Sequence, residues 1–313
     1  MAAELSHAFG YWLQQFLNAV TLASFYVPLA VAYALVQGIS NKIFLSFGDF
    51  AMYAAFAAIY AGLAGLLAGN SVGIILMMSL ILALVCASAL GRFAATHVFA
   101  PLINQPSQAF MIGSIGVSIA LQEVMRIQSA NRDLWLPPLF DGQAVKIYGG
   151  FFPVQIGIMQ LISIATAIVA VGAVLYVMGY TVLGRYWKAC SQSEKLARLT
   201  GVDTFNVLRW SCVGSAALAS VSGWIIAVSY GGVSFSLGLM LGFKAMFASV
   251  VGGFGTVKGA IVGGIFLAFV ETLWAASLPL AYRDVGVFGL IILILMLRPQ
   301  GLFASDLRRE SEE

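Results

Sequence analysis

A chain of 313 residues with 16 Lys and Arg against 13 Asp and Glu carries only 9% charged side chains, where soluble domains average about 25%. Hydrophobic residues make up 61% of it and the mean hydropathy is +0.95, in uncharged runs long enough for a hydrocarbon core that takes roughly 20 helical residues to cross. A water-soluble fold is excluded, the net charge of +3 is too small to imply nucleic acid, and the chain reads as an all-α polytopic integral membrane protein.

In chain order, the first apolar run covers 12–37. No Lys or Arg precedes Lys42, so the basic region of a cleavable signal peptide is missing and this run is expected to remain as a span. Further runs follow at 50–69, 72–91, 107–125, 154–183, 210–231, 238–257, 259–276 and 285–297. Each is expected to be helical, because lipid offers open backbone groups no partner. The count is eight or nine transmembrane helices, depending on whether 238–276, interrupted by Gly252, Gly253, Gly255 and Gly259, crosses twice or folds as a re-entrant hairpin. The last run would span only ~20 Å and is expected to begin earlier, near Leu278. Asp49, at the start of the second span, is expected to cap its helix.

Loop charge orients the bundle. With the N-terminus outside, the inner side receives Lys42, Arg92, Arg185, Lys188, Lys195, Arg198, Arg209, Lys258, Arg298, Arg308 and Arg309, against Arg132, Lys146 and Arg283 outside. The positive-inside rule then favours a periplasmic N-terminus and a cytoplasmic C-terminal tail, 304–313. The outer loop 129–153, with Trp135, Pro137, Pro138 and the turn-like Asp141-Gly142 before Val145–Tyr148, suggests a short hairpin over the bundle. The inner loop 184–209, with five basic and two acidic residues, reads as a cytosolic helix over about Lys188–Leu199 with Ala189, Leu196 and Leu199 along one side. Gly201 is its natural C-cap, and Asp203 follows in the turn. This segment is read either as a basic loop beside anionic lipid headgroups or as a docking helix for a cytosolic partner.

Four charges fall inside or at the edge of spans. Lys244 and Glu271 are expected to be satisfied by helix ends or by each other across the 238–276 pair, or to meet substrate, and Glu123 and Arg126, three apart, to pair on one helix face. Gly255, Gly259 and Gly263, like Gly238 and Gly242, recur at four-residue spacing and suggest close helix packing or a hinge, together with Gly252 and Gly253. No phosphate-binding G-x-x-x-x-G-K-[ST] motif is present, and His7 and His97 form no catalytic or zinc constellation, so no catalytic or metal-binding residue is expected. Cys86, Cys190 and Cys212 are uneven in spacing and suggest no disulfide framework.

The chain resembles the permease subunits of bacterial ATP-binding-cassette importers for branched-chain amino acids. The likeness rests on Gly184-Arg185, Ala189, Ala197 and Gly201 in the inner loop, on Ala216, Ala219 and Gly223 in the next span, and on V-V-G-G-F-G-T-V-K-G-A at 250–260 with Gly263 and Gly264. I-G-V-S-I-A-L-Q at 115–122 and R-D-L-W-L-P at 132–137 add to it. The resemblance implies an inner-membrane permease that pairs with a second, related permease, two cytosolic ATPase subunits and a periplasmic binding protein. ATP and Mg would then sit in the ATPases, with no cofactor in this chain. The inner loop would be the coupling helix, with Arg185, Ala189, Glu194, Ala197 and Gly201 at the contact. Where the family often has an N-F-A-H-G-like sequence, this chain has F-L-S-F-G-D-F at 44–50, with Phe47 in place of His. Urea, short amides and aromatic acids are carried by relatives and stay open as substrates, and a stand-alone secondary transporter is the rival reading.

Overall fold

The chain folds as helix after helix because each apolar segment must satisfy its own N–H and C=O groups. The computed structural model describes residues 2–103, 105–139, 144–148, 154–299 and 301–302, with side chains described from Phe9 onward and not for 144–148. The tail 304–313 and the Asp141-Gly142 turn lie outside the described residues. The elements are α1 (Ala2–Ser40), α2 (Phe47–Leu67), α3 (Val72–Ala94), a π-helical turn at Ala95–Phe99 leading into α4 (Ala100–Leu102), α5 (Ser107–Gln128), β1 (Leu134–Trp135), β2 (Ala144–Tyr148), β3 (Val154–Gly157), α6 (Ile158–Tyr180), α7 (Val182–Gln192), α8 (Glu194–Leu199), α9 (Thr204–Tyr230), β4 (Gly232–Val233), α10 (Leu237–Gly253), α11 (Val257–Ser277), a 3-10 turn at Leu280–Tyr282, and α12 (Arg283–Leu297). Among the described residues, eight helices are long and apolar enough to cross a membrane, the last starting at Leu280, and Leu237–Gly253 is a shorter apolar helix.

Helices α1 and α9 run through the centre and α2, α10 and α11 pack on them, while α3, α6 and α12 turn most of their surface outward. The close approaches are made by glycine. A methyl group at Gly252 would collide with the Gly259 carbonyl, one at Gly263 with the Ala248 carbonyl, and one at Gly223 with the Ala51 carbonyl, so these helices meet backbone to backbone. Gly255 does not share the α11 face with Gly259 and Gly263. It precedes the helix, at φ +72°, in the α10–α11 turn against Gly38. The four-residue spacing was therefore misleading at its first member, because a left-handed residue breaks the helical period there.

The 238–276 pair is resolved by what its ends touch. The α10–α11 turn lies at the Gly38 end of α1, and α11 runs back until Ala276 accepts the Tyr11 hydroxyl at 3.0 Å near the other end. After α12 the chain returns to the C-terminal end of α10, where Leu302 N–H donates to the Val251 carbonyl at 2.7 Å. Helices α11 and α12 thus run full length in opposite directions, and α10–α11 is not a shallow hairpin that returns without crossing.

Two segments break inside the bundle. The Tyr33 hydroxyl donates to the Leu45 carbonyl at 3.3 Å and accepts from Gly48 N–H at 3.2 Å, although Tyr33 lies about 10 Å along α1 from its end at Ser40. The non-helical stretch 41–46 therefore climbs beside α1, and α2 begins at depth. From the opposite side, β4 pairs antiparallel with β1 before the chain descends to α10, whose Gly238 packs on Gly48 and Asp49. At ~25 Å for 17 residues, α10 is shorter than a ~30 Å hydrocarbon core. The expected hairpin also differs in detail: β2 pairs with β3, which follows it, rather than across Asp141-Gly142. Val154–Gly157 is thus strand, and the expected 154–183 span begins at Ile158.

Candidate functional site

The inner loop is two short helices rather than one. Ser193 stops α7 and starts α8, its side chain accepting from Leu196 N–H, so the expected Lys188–Leu199 helix is interrupted. The α8 end closes as a two-bond left-handed cap: Val202 N–H reaches the Ala197 carbonyl at 3.0 Å and Gly201 N–H the Arg198 carbonyl at 3.1 Å, with Gly201 at φ +82°. Asp203 then caps α9 by accepting from Phe205 and Asn206 N–H, both at 3.1 Å.

This unit is anchored to the bundle by Trp187. Its indole N–H donates to the Leu35 carbonyl at 2.9 Å, and its ring fills the notch left by Gly38, where a methyl would stand 2.5 Å from Cζ2 and 2.8 Å from the Gly255 carbonyl. Ala197 is 3% exposed and faces this interior. It cannot enter a partner's groove, which corrects its assignment to the coupling contact. Leu196 and Leu199 instead point away from the bundle, 64% and 83% exposed. Arg185 and Gly201 are also exposed, Ala189 is half-buried, and Glu194 pairs with Arg198 at 2.5 Å. Burial holds the Lys42 ammonium below its usual range, opposed by Glu194, while Nζ spans the carbonyls of Ile103 at 2.6 Å and Gln105 at 2.7 Å. Burial likewise raises the Cys190 thiol.

Inside the bundle, Lys244 Nζ lies 2.9 Å from Glu271 and 2.8 Å from Asp284. Glu271 is also 3.2 Å from Arg283 Nε and accepts the Tyr26 hydroxyl at 2.7 Å. This network ties α1, α10, α11 and the start of α12. Glu123 and Arg126 pair on the exposed face of α5 at 2.5 Å. Asp49 does not cap α2: Ser46 holds the cap position, with no side-chain bond, and the Asp49 carboxylate, fully buried, accepts from the Ser118 hydroxyl and, at 2.8 Å, from Gln122 Nε2.

The family described as "Branched-chain amino acid transport system / permease component" matches residues 15–296. The chain belongs to that family. It is 34% identical over 299 residues to the high-affinity branched-chain amino acid transport system permease protein LivH of Escherichia coli, covering 95% of this chain and 97% of LivH. The corresponding protein BraD of Pseudomonas aeruginosa is 31% identical over 294 residues, 93% of this chain and 95% of BraD. A probable LivH of Methanocaldococcus jannaschii is 25% identical over 220 residues, 67% of this chain and 69% of that protein. The permease is thus a multi-pass transport subunit, and its sequence matches reach through both helical breaks and the α7–α8 unit.

Sequence reasoning missed three features of this permease. Arg283 and Asp284 complete the Lys244 network but stand just ahead of the last apolar run, where they read as loop charges. Trp187 carries no motif that marks it as an anchor. Asp49 carried a readable signal, an ionisable residue at a span, that its position at a helix start outweighed.

Proposed function

We propose that this chain is one membrane half of an ATP-binding-cassette importer that moves branched-chain or other apolar amino acids inward by alternating access. A second related permease, two ATPase subunits carrying ATP and Mg, and a periplasmic binding protein complete it in the bacterial inner membrane. The N-terminus is periplasmic and the C-terminus cytoplasmic, in keeping with the loop charges. The observation that carries the reading, beside family membership, is the α7–α8 unit. It is anchored to α1 through Trp187 while Leu196 and Leu199 project away from the bundle at its basic end. Two large apolar side chains exposed outside the spans suit a groove in a partner, and the unit is the coupling contact.

The test is co-purification from cells that express the permease pair with its ATPases, followed by leucine uptake in proteoliposomes with loaded binding protein. Leu199→Asp should leave folded yield intact and strip the ATPases. Ion-gradient-driven uptake by this chain alone would replace the importer by a secondary carrier.

A further inference from the structure

The intramembrane carboxylates of this permease are not alike. Glu271 and Asp284 each face Lys244 and Arg283, and Glu123 faces Arg126. Asp49 is buried completely, within a span, and its partners are two neutral groups, the Ser118 hydroxyl and the Gln122 amide. A carboxylate removed from water without a cation is costly. The N-terminal turn of its own helix offsets part of that cost, as does the start of α10, where a methyl on Gly238 would stand 2.5 Å from Asp49 Oδ1. One turn earlier the Ser46 hydroxyl is buried without a hydrogen-bond partner among the described residues. These buried polar groups lie where two interrupted membrane segments bring their helix starts together, the place where transporters with broken helices hold their solutes.

Helix α5 covers Asp49. Its outer face, with Ile112, Ile119 and Ile127, is exposed. Its polar attachment runs through the 41–49 stretch: Leu45 N–H to Ser114 Oγ at 3.3 Å and Asp49 to Ser118 and Gln122. Displacing α5 would carry Ser118 and Gln122 away and leave the Asp49 carboxylate as an acceptor for a cationic donor. An apolar amino acid has one cationic group.

We propose that Asp49 is the counter-charge for the α-ammonium group of the transported amino acid, uncovered when α5 moves away and re-covered by Ser118 and Gln122 after the solute has passed. The proposal rests on the importer reading above and names the residue in this chain that touches its substrate.

The experiment uses the complete importer in proteoliposomes, with leucine as probe and uptake and ATP hydrolysis read in the same vesicles. Asp49→Asn keeps the shape and the two hydrogen bonds but not the charge. It should lower leucine uptake roughly 100-fold, as expected when one member of a buried charged contact is neutralised, while the assembled complex continues to hydrolyse ATP. Asp49→Glu should recover uptake to within about tenfold of the parent, and Ser118→Ala should leave it within about threefold, because a covering hydroxyl is dispensable and a counter-charge is not. Leucine uptake by Asp49→Asn within threefold of the parent overturns the proposal. So does a loss of assembly in Asp49→Asn that Ser118→Ala reproduces, which would make the carboxylate a clasp for α5 and nothing more. If the parent complex accumulates no amino acid, the importer reading itself fails and this proposal falls with it; normal parental uptake with a normal Asn variant overturns this proposal alone.

Discussion

The Lys244 network makes a prediction in which two changes do less harm than one. Its four charges, Lys244, Arg283, Glu271 and Asp284, sum to zero. Lys244 and Glu271 are nearly sealed, their side chains 7% and 4% exposed. Lys244→Met removes one positive charge and leaves Glu271 and Asp284 to share Arg283. Breaking a buried ion pair by deleting one partner costs about 3–5 kcal/mol. Arg283 still stands 3.2 Å from Glu271 and Tyr26 still donates to it, which puts the expected cost at the lower end, about 3 kcal/mol. Adding Glu271→Gln restores neutrality, with Arg283 and Asp284 left 3.6 Å apart, and the double variant should lose only about 1–2 kcal/mol. Equilibrium unfolding of the purified permease in mixed micelles, run as a double-mutant cycle, measures both. A double variant less stable than Lys244→Met alone would refute the charge-balance argument, as would a single-variant loss under about 1 kcal/mol.

Gly259→Leu should prevent the approach of α11 to Gly252 and sharply reduce folded yield, measured by detergent size-exclusion of the fluorescently tagged permease, whereas Gly172→Leu, whose added methyl would meet nothing within 4 Å, should not. Gly201→Val forces a β-branched residue to φ +82° and should destabilise the α8 cap by about 1–2 kcal/mol, read as faster proteolysis between α7 and α9. Trp187→Phe keeps a ring in the Gly38 notch but loses the bond to Leu35, about 1 kcal/mol, and should lower uptake per ATP hydrolysed more than it lowers ATPase retention. In a background without Cys86, Cys190 and Cys212, a cysteine at Gly69 should react with an impermeant maleimide from outside and one at Gln192 only from inside; labelling of both from one side overturns the orientation.

Hydropathy located the spans because the penalty for polar backbone in lipid acts on every residue of a segment, and it missed by only a few residues at ends where caps decide. Asp203 and Gly201 were legible as punctuation because capping is local, settled within four residues of chain. Asp49 was not legible as part of a site, since its partners lie 69 and 73 residues away and its depth is not something hydropathy registers. The non-helical stretch 41–46 carries Ile43, Phe44 and Leu45 between polar ends, and hydropathy, which marks a gap between spans there, does not say that the gap lies at depth where other helices must cover it. Ala197 was misjudged for another reason. A six-residue helix has fewer than two turns, so periodicity cannot assign its buried face, and the kink at Ser193 rotates it relative to α7.

The same glycine contacts that fix the fold also define how a push on α7–α8 can travel. Trp187 and the Gly255 carbonyl of the α10–α11 turn both pack against α1 at the Gly38 notch, so a displacement of the unit that shifts this part of α1 also bears on the turn. Beyond that notch α10 and α11 touch backbone to backbone at Gly252 and Gly259 and at Ala248 and Gly263, leaving no compliant side chains to absorb the motion in a close-packed interior. A displacement at that end would pass along α10, a 17-residue helix that is preceded by a turn and a short strand rather than by helix. Its N-terminal end, at Gly238, rests on Gly48 and Asp49. If α7–α8 is the coupling contact proposed above and Asp49 the proposed counter-charge, α10 is the element that links their two ends of the bundle, through about 25 Å of helix. Bulk at Gly238 or Gly255 should then impair leucine uptake while ATPase retention on purification is unchanged.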